Sequence, residues 1–443
     1  MKKILCVLCV FAMLLTLVPF GVSAAEAQYY GDLEYKVEDG VAIIIGIKKY
    51  ADNDVVIPAT IDECPVVEIG NSAFYENDGI KTVTLPDSLL VIGSGAFYGC
   101  NNLKSIVIPD SVRDIKSTGN FLNLGAFAYC GNLEEVVIGD GITIINDDTF
   151  AGCTNLESIT FGSNIDTIGD YAFSKCEKLK EVNLPANLET IGAYAFRNSG
   201  LLKLDLPDST TIIDERAFEE CTDLSELNLN KVEDIGDYAF NNCTSLTELT
   251  VPDSVSSMGV YAFAECTNVK YLTLGGGLKT IPKRAFDGLI NLEKMYITGG
   301  NLNLMENGAF DVYTKPMFLD PYHNMTDIFF SGTKEEWDDI TKTDLGNEIF
   351  VDENVNIQYE IPYSEDIFDA KGILGDVNGD EKVNIKDATM IQKAAAKIIN
   401  LTDDENARAN VNGDNKINVK DATAIQKFVA KIETGFPIGE AIY

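Results

Sequence analysis

The residues with the types and spacing to do chemistry form two twelve-residue stretches. They are Asp376-Val-Asn378-Gly-Asp380-Glu-Lys382-Val-Asn384-Ile-Lys-Asp387 and Asn410-Val-Asn412-Gly-Asp414-Asn-Lys416-Ile-Asn418-Val-Lys-Asp421. Every element of the second lies 34 residues after its counterpart in the first. Oxygen-bearing side chains at positions 1, 3, 5, 9 and 12, with the position-7 carbonyl of Lys382 or Lys416, make a shell that suits a hard cation. The chemistry predicted is binding of two calcium ions, one per stretch. A single Asn/Asp/Gly-rich copy would read as an ordinary polar turn, but two copies in register do not. The second stretch begins with Asn410, which leaves it Asp414 and Asp421 against Asp376, Asp380 and Asp387 in the first. Its site is expected to be the weaker one. Position 6, where a sharp turn favours glycine, holds Glu381 and Asn415.

Such loops need helices to hold them. Each stretch runs into an apolar-periodic segment, predicted as helices over Asp387–Ile398 and Asp421–Lys431, with the position-12 aspartate as the N-cap. The paired motif resembles a type I dockerin over about residues 367–436. That resemblance implies calcium, a cohesin module of a scaffold protein as partner, and service in polysaccharide breakdown within a cellulosome-type complex. It also implies cohesin contacts at Ile385, Lys386, Gln392, Lys393 and Lys397, and at Val419, Lys420, Gln426, Lys427 and Lys431. The near-identity of these two sets fits two-way docking.

Other chemistry is scarce. His323 is the only histidine, and beyond residue 24 there is neither a Gly-x-Ser-x-Gly elbow nor a CxxC pair. Acidic residues abound, so a two-carboxylate glycoside hydrolase stays as the minor alternative. The expectation is a non-catalytic protein, because most of the chain is committed to a repeat that supplies a surface and no pocket.

Phenylalanine recurs at 74, 97, 127, 150, 173, 196, 218, 240, 263, 286 and 310, mostly 22–24 residues apart, with 30 between Phe97 and Phe127. A fixed period in this range means a solenoid. Ten of the eleven follow alanine, and most units carry Ile-Gly four or five residues earlier, as in Ile168-Gly169. After each comes Leu-x-x-φ-x-φ, where φ is apolar, as in Leu156-Ile159-Phe161 and Leu179-Val182-Leu184. The φ-x-φ end reads as a short strand with one buried face. Stacking about eleven units would align the Phe, Leu and Ile positions into internal ladders. The insert near Lys116–Leu122 belongs on a loop. Units such as the one running from Ile168 to Thr190 resemble the BspA-like leucine-rich repeats, over roughly residues 40–310. The fold implied is an α/β solenoid of short strands with loops or short helical turns, plus a small all-α calcium-binding domain. Tyr35–Gly70 is similar to that family's N-terminal cap, and Ile328–Ile340 through Tyr359 to its C-terminal cap.

Seven cysteines sit three residues after Phe, at 100, 130, 153, 176, 221, 243 and 266, while Asn77, Ser199 and Leu289 hold the same place elsewhere. Interchange with non-cysteine residues indicates packing. Stacked, parallel side chains also fit disulfide geometry poorly, so free buried thiols are expected.

Lys2 and Lys3 precede an apolar run from Ile4 to Phe20 that ends in Val22-Ser23-Ala24, which predicts a secretory signal over 1–24 and a secreted protein without membrane insertion. The remaining boundaries are expected at 25–69 for the N-terminal cap, 70–310 for the repeats, 311–366 for the C-terminal cap and linker, 367–436 for the calcium module and 437–443 for a tail. Residues 25–366 hold 22 basic and 57 acidic side chains, against 10 and 11 in 367–436. An excess of this size repels nucleic acid. The solenoid is expected to bind a protein or a polysaccharide through outward strand positions such as Glu134-Glu135, Lys180-Glu181, Lys270-Tyr271, Glu293-Lys294 and Tyr296, with Tyr271 and Tyr296 as an exposed pair. The alternative is a cell-surface adhesin whose solenoid recognises host or microbial protein.

Overall fold

The computed structural model of the protein describes residues 28–48, 53–117, 124–311, 324–343, 347, 350, 354–363, 377, 383–401, 409–411 and 416–429. The expected signal, the tail, His323 and residues 118–122 of the insert lie outside these. None of the described helices is long and apolar enough to cross a membrane. The chain divides into two compact units, residues 1–361 and 362–443.

The first unit starts with an antiparallel hairpin, Gln28–Tyr30 against Leu33–Glu38, which continues into Val41–Ile47. Alternation in Val41–Ile47 buries Ala42 and Ile44. This strand pairs in parallel with Cys64–Ile69 and so starts the parallel stack that the repeats extend.

Each repeat contributes at two levels. The φ-x-φ segments form one set of parallel strands, for example Ser105–Ile108, Glu135–Ile138 and Ser158–Thr160, with Ile106, Val136 and Ile159 in register and buried. One unit departs from the prediction: Glu181–Leu184 forms no strand, and the set breaks there into separate sheets. Val182 and Leu184 still pack against the core, so burial is retained where ladder bonding is lost. A second set, not foreseen from sequence, consists of two-residue strands at the recurring Ile. Ile145, Ile168, Ile191, Ile213, Ile235 and Met258 align through six consecutive strands. The glycine after this isoleucine has a steric reason: a Cβ on Gly169 would stand 2.6 Å from Asp147 Oδ1 and 2.9 Å from the Ile145 carbonyl.

Between the two strand sets the chain turns around the phenylalanine. Left-handed backbone recurs two residues before and two after it, as at Tyr194 (φ 59°) and Asn198 (φ 54°) around Phe196. Each such residue costs on the order of 1 kcal/mol when it is not glycine. Burial of the ring offsets that cost. All eleven rings are at most 2% exposed, and each stacks on the next with centroids 4.9–5.7 Å apart. The first ten are also hydrogen-bonded forward, as where Phe196 N–H donates to the Ala217 carbonyl at 2.8 Å. Phe97 and Phe127 stay 5.1 Å apart despite 30 residues between them, so the insert leaves this column intact. It does separate the short strands Asp114–Ile115 and Ile144–Ile145, which belong to different sheets.

The ladder thiols are buried, and each donates to the carbonyl of the preceding unit's phenylalanine at 3.0–3.5 Å. Burial pushes Cys100 up to about 12 and Cys221 up to about 11, which makes them unreactive. Ser199 substitutes for a thiol and sits 3.3 Å from Cys221 Sγ. Cys64 is half-buried in the strand that pairs in parallel with Val41–Ile47.

The last ring, Phe310, meets Phe350 edge-on, and Phe350 meets Trp337. Trp337 comes from helix α1, Lys334–Asp339, whose Thr333 and Glu336 form a capping box. The strands Asp327–Phe330 and Asn356–Gln358 continue the parallel pairing. Repeats need such a closing element, because the final ladder would otherwise face water.

Candidate calcium-binding and docking site

The second unit has two helices, α2 (Ile385–Ala395) and α3 (Val419–Val429), that follow the two candidate loops. Both start two residues earlier than the sequence suggested, and α2 also ends earlier, at Ala395 and not Ile398. The N-cap of α2 is the position-9 asparagine and not the position-12 aspartate. Asn384 accepts from Lys386 N–H at 2.9 Å, and Asp387, at N3, accepts from Asn384 N–H at 2.8 Å, which completes a capping box. The second copy repeats this with Asn418 accepting from Lys420 N–H at 2.9 Å and Asp421 accepting from Asn418 N–H at 3.0 Å. A reciprocal pair satisfies two orphan helix donors where a single aspartate cap satisfies one. That is why the helices start at the asparagine.

A small apolar core joins the copies. Val377, Ala388 and Ile391 are buried with Val411, Ala422 and Ile425, their counterparts 34 residues on. Asp387 and Asp421 are fully buried among them, and Asn410 Oδ1 and Asp421 Oδ1, from positions 1 and 12 of the second loop, are both shielded from solvent. Buried carboxylates need compensating positive charge or full hydrogen bonding. This donor set therefore fits a hard cation. The Lys416 carbonyl, at position 7 of the second loop, accepts from Asn418 Nδ2 at 2.8 Å. Asp376, Asn378, Asp380, Lys382, Asn412 and Asp414 lie outside the described residues.

The candidate contact residues lie on the outside. Ile385 and Val419 are 56% and 62% exposed, which is high for branched apolar side chains held at the same place in both copies. Lys386, Gln392, Lys393 and Lys397 are exposed in the first copy, and Lys420 and Lys427 in the second, with Gln426 half-buried. Lys431 lies outside the described residues.

On the solenoid, the expected Tyr271–Tyr296 pair is not an exposed patch. Tyr296 is 2% exposed and its hydroxyl donates to the Ile361 carbonyl at 3.4 Å. The two residues occupy different columns, Tyr271 beside Lys294 and Tyr296 beside Thr273 and Phe329. Positions two apart on a strand share a face but not a ladder column, and the sequence did not show that chain near Ile361 reaches Tyr296. The charged outward positions pair with one another between units: Lys104 with Glu134 at 2.9 Å, Lys180 with Asp223 at 2.8 Å and Lys270 with Glu293 at 3.3 Å. Exposed pairs of this kind contribute at most about 1 kcal/mol each.

Comparison with known proteins gives two family matches. The BspA type leucine-rich repeat region matches in six copies, over residues 67–201, 120–231 and 190–317, and the dockerin type I domain matches residues 374–430. No curated protein matches the chain. Among solved structures, a leucine-rich cell surface protein from Faecalibacterium prausnitzii is 23% identical with a TM-score of 0.44, covering 72% of this chain and 99% of that one. A leucine-rich repeat protein from Bacteroides ovatus is 22% identical with a TM-score of 0.44, covering 77% and 100%. The T. pallidum leucine-rich repeat protein is 27% identical with a TM-score of 0.33, covering 55% and 91%. Both matched families are non-catalytic: leucine-rich repeats serve protein interaction, and type I dockerins bind calcium and dock to cohesins. The repeat match spans more than half of the 443 residues, and the chain belongs to the BspA-type leucine-rich-repeat family and carries a type I dockerin domain.

Proposed function

We propose that this is a secreted binding protein that docks through its calcium-loaded dockerin onto a cohesin module of a cellulosome-type complex, where its solenoid holds a protein or polysaccharide ligand during polysaccharide catabolism. The observation that carries the docking reading is the paired exposure of Ile385 and Val419, each beside exposed lysines, on helices whose opposite sides pack into one core. An exposed apolar residue repeated at the same register is costly to keep without a partner to cover it. Asp376, Asn378, Asp380, Asn384 and Asp387, with the Lys382 carbonyl, would hold one calcium ion. Asn410, Asn412, Asp414, Asn418 and Asp421, with the Lys416 carbonyl, would hold the other. Each ion would neutralise a buried aspartate and tie its loop to the start of its helix.

The test is calorimetry of the full chain against a panel of cohesins in calcium and in chelator. Binding in calcium that disappears in chelator is expected, and binding that survives chelation would refute the proposal. The solenoid adds no hydrolysis in this reading, so assays for sugar and peptide release should stay at background. Turnover abolished by one Asp or Glu substitution would favour the glycoside hydrolase alternative.

A further inference from the structure

Two residues before each phenylalanine from Phe150 to Phe286, a side chain stands outside the aromatic column. From Asp148 onward these residues are Asp148, Tyr171, Tyr194, Arg216, Tyr238, Tyr261 and Arg284. All seven have φ between 54° and 59°, so a common backbone conformation places their side chains in one file. Tyr171 stacks on Tyr194 at 4.5 Å and Tyr238 on Tyr261 at 4.7 Å, both with rings within 6° of parallel. The Arg216 guanidinium lies between the pairs, 5.7 Å from the Tyr194 ring and 4.4 Å from the Tyr238 ring. Arg284 lies 5.7 Å from the Tyr261 ring. Each arginine has its own carboxylates: Glu215 at 3.1 Å and Glu219 at 3.2 Å for Arg216, and Asp287 at 3.6 Å for Arg284. The file therefore repeats two rings and a cation every three units.

One step before Tyr171 the same period requires a cation, and Asp148 stands there. It is 8% exposed, and among the described residues its carboxylate has no hydrogen-bond or ion-pair partner. Its charged neighbours are Asp147, which accepts from Asp170 N–H at 2.9 Å, and Asp170, which accepts from Ala193 N–H at 2.8 Å. Burial and these two acids push the Asp148 carboxyl up to about 7. Among the described residues the Tyr171 ring stacks only on Tyr194, and no cation lies over it. In the preceding unit the equivalent positions, two before and one after the phenylalanine, are Gly125 and Ala128. Among the described residues no group of three acids, histidines or cysteines is arranged to hold a metal ion.

We infer that Asp148, with Asp147, Asp170 and the ring of Tyr171, receives the guanidinium of an arginine carried by a partner protein. That cation would complete from outside the arrangement that Arg216 and Arg284 complete from within. The acidic excess of residues 25–366, 57 against 22, draws a basic partner. A planar guanidinium stacks on a ring and bonds a carboxylate at once, which an ammonium does less well. The inference concerns the solenoid and stands or falls independently of cohesin docking.

The experiment is calorimetric titration of the full chain, in calcium, with an acetylated and amidated Gly/Ser peptide containing one arginine, beside the same peptide with citrulline. Saturable binding on the order of millimolar is expected for arginine and none for citrulline. Asp148→Asn and Tyr171→Leu should each weaken it about tenfold, whereas Tyr261→Leu, whose ring already carries Arg284, should leave it unchanged. Asp148→Arg should supply the cation internally, keep the fold and abolish peptide binding. Equal binding by the citrulline peptide, undiminished binding to Asp148→Asn, or no saturable binding would each overturn the inference.

Discussion

Both units are built by repetition, yet they are stabilised differently. In the solenoid the repeated core groups meet their own kind or a neutral partner: phenylalanine stacks on phenylalanine, and each thiol donates to a phenylalanine carbonyl. Asparagine amides do likewise, with Asn102, Asn132, Asn155, Asn268 and Asn291 each reaching a carbonyl of the preceding unit at 2.5–2.8 Å. Stability is then a sum of neighbour contacts that requires no ion. The dockerin repeats once, its buried core has eight apolar residues among those described, four of them alanine, and it encloses Asp387 and Asp421. Repetition there doubles a buried carboxylate, which fits the calcium that type I dockerins bind.

Metal removal should separate the two most sharply. Chelation should loosen α2 and α3 and reduce cohesin affinity more than about a hundredfold, because ion binding supplies folding free energy to the small unit, while the solenoid's thermal transition stays in place. Circular dichroism and calorimetry on one sample give both readings, and a shift of both transitions together would break the contrast. Phe196→Ala is the reciprocal change. It should destabilise the solenoid by about 3–5 kcal/mol in denaturant melts and leave cohesin affinity unaltered.

A smaller effect comes from pH. The Asp148 carboxyl, ordinarily near 3.8, is held up to about 7 by burial and then by Asp147 and Asp170, with Tyr171 also alongside. Because the folded value is the higher one, the associated stability is complete below 3.8 and is lost as pH rises through about 7. Asp287, pushed up to about 6 by burial and Asp311, acts in the same sense. Solenoid Tm should therefore fall between pH 5 and pH 8, and Asp148→Asn should recover about 2–4 °C at pH 8. A flat wild-type profile would count against the burial of a lone charge there.

The smallest effect is expected within the dockerin itself. Replacing Lys393 and Lys397 together with alanine should change cohesin affinity less than about threefold, since Lys427 and Lys431 repeat them, whereas changing all four should weaken it clearly. Loss of binding on altering one copy would show that the two faces are not interchangeable.

The repeat was legible because a solenoid writes its contacts into the period: a phenylalanine every 22–24 residues can only meet its equivalents. The candidate loops were legible because oxygen ligands must recur at fixed offsets. The helix starts were less so, since Asn384 and Asp387 are both good caps and only reciprocal hydrogen bonding decides between them. The exposed tyrosine pair failed for a different reason, because the cover over Tyr296 includes the carbonyl of Ile361, 65 residues away in sequence.

Sequence by itself determined the stack and the buried thiols, both of which depend on spacing along the chain. Only the tertiary structure decided which surface residues form files. The column from Asp148 to Arg284 depends on a shared left-handed backbone at residues as unlike as Asp, Tyr and Arg, a conformation no residue type announces. Packing against the neighbouring units imposes it, and so gives Asp148 its isolation and Tyr171 its single stacking partner.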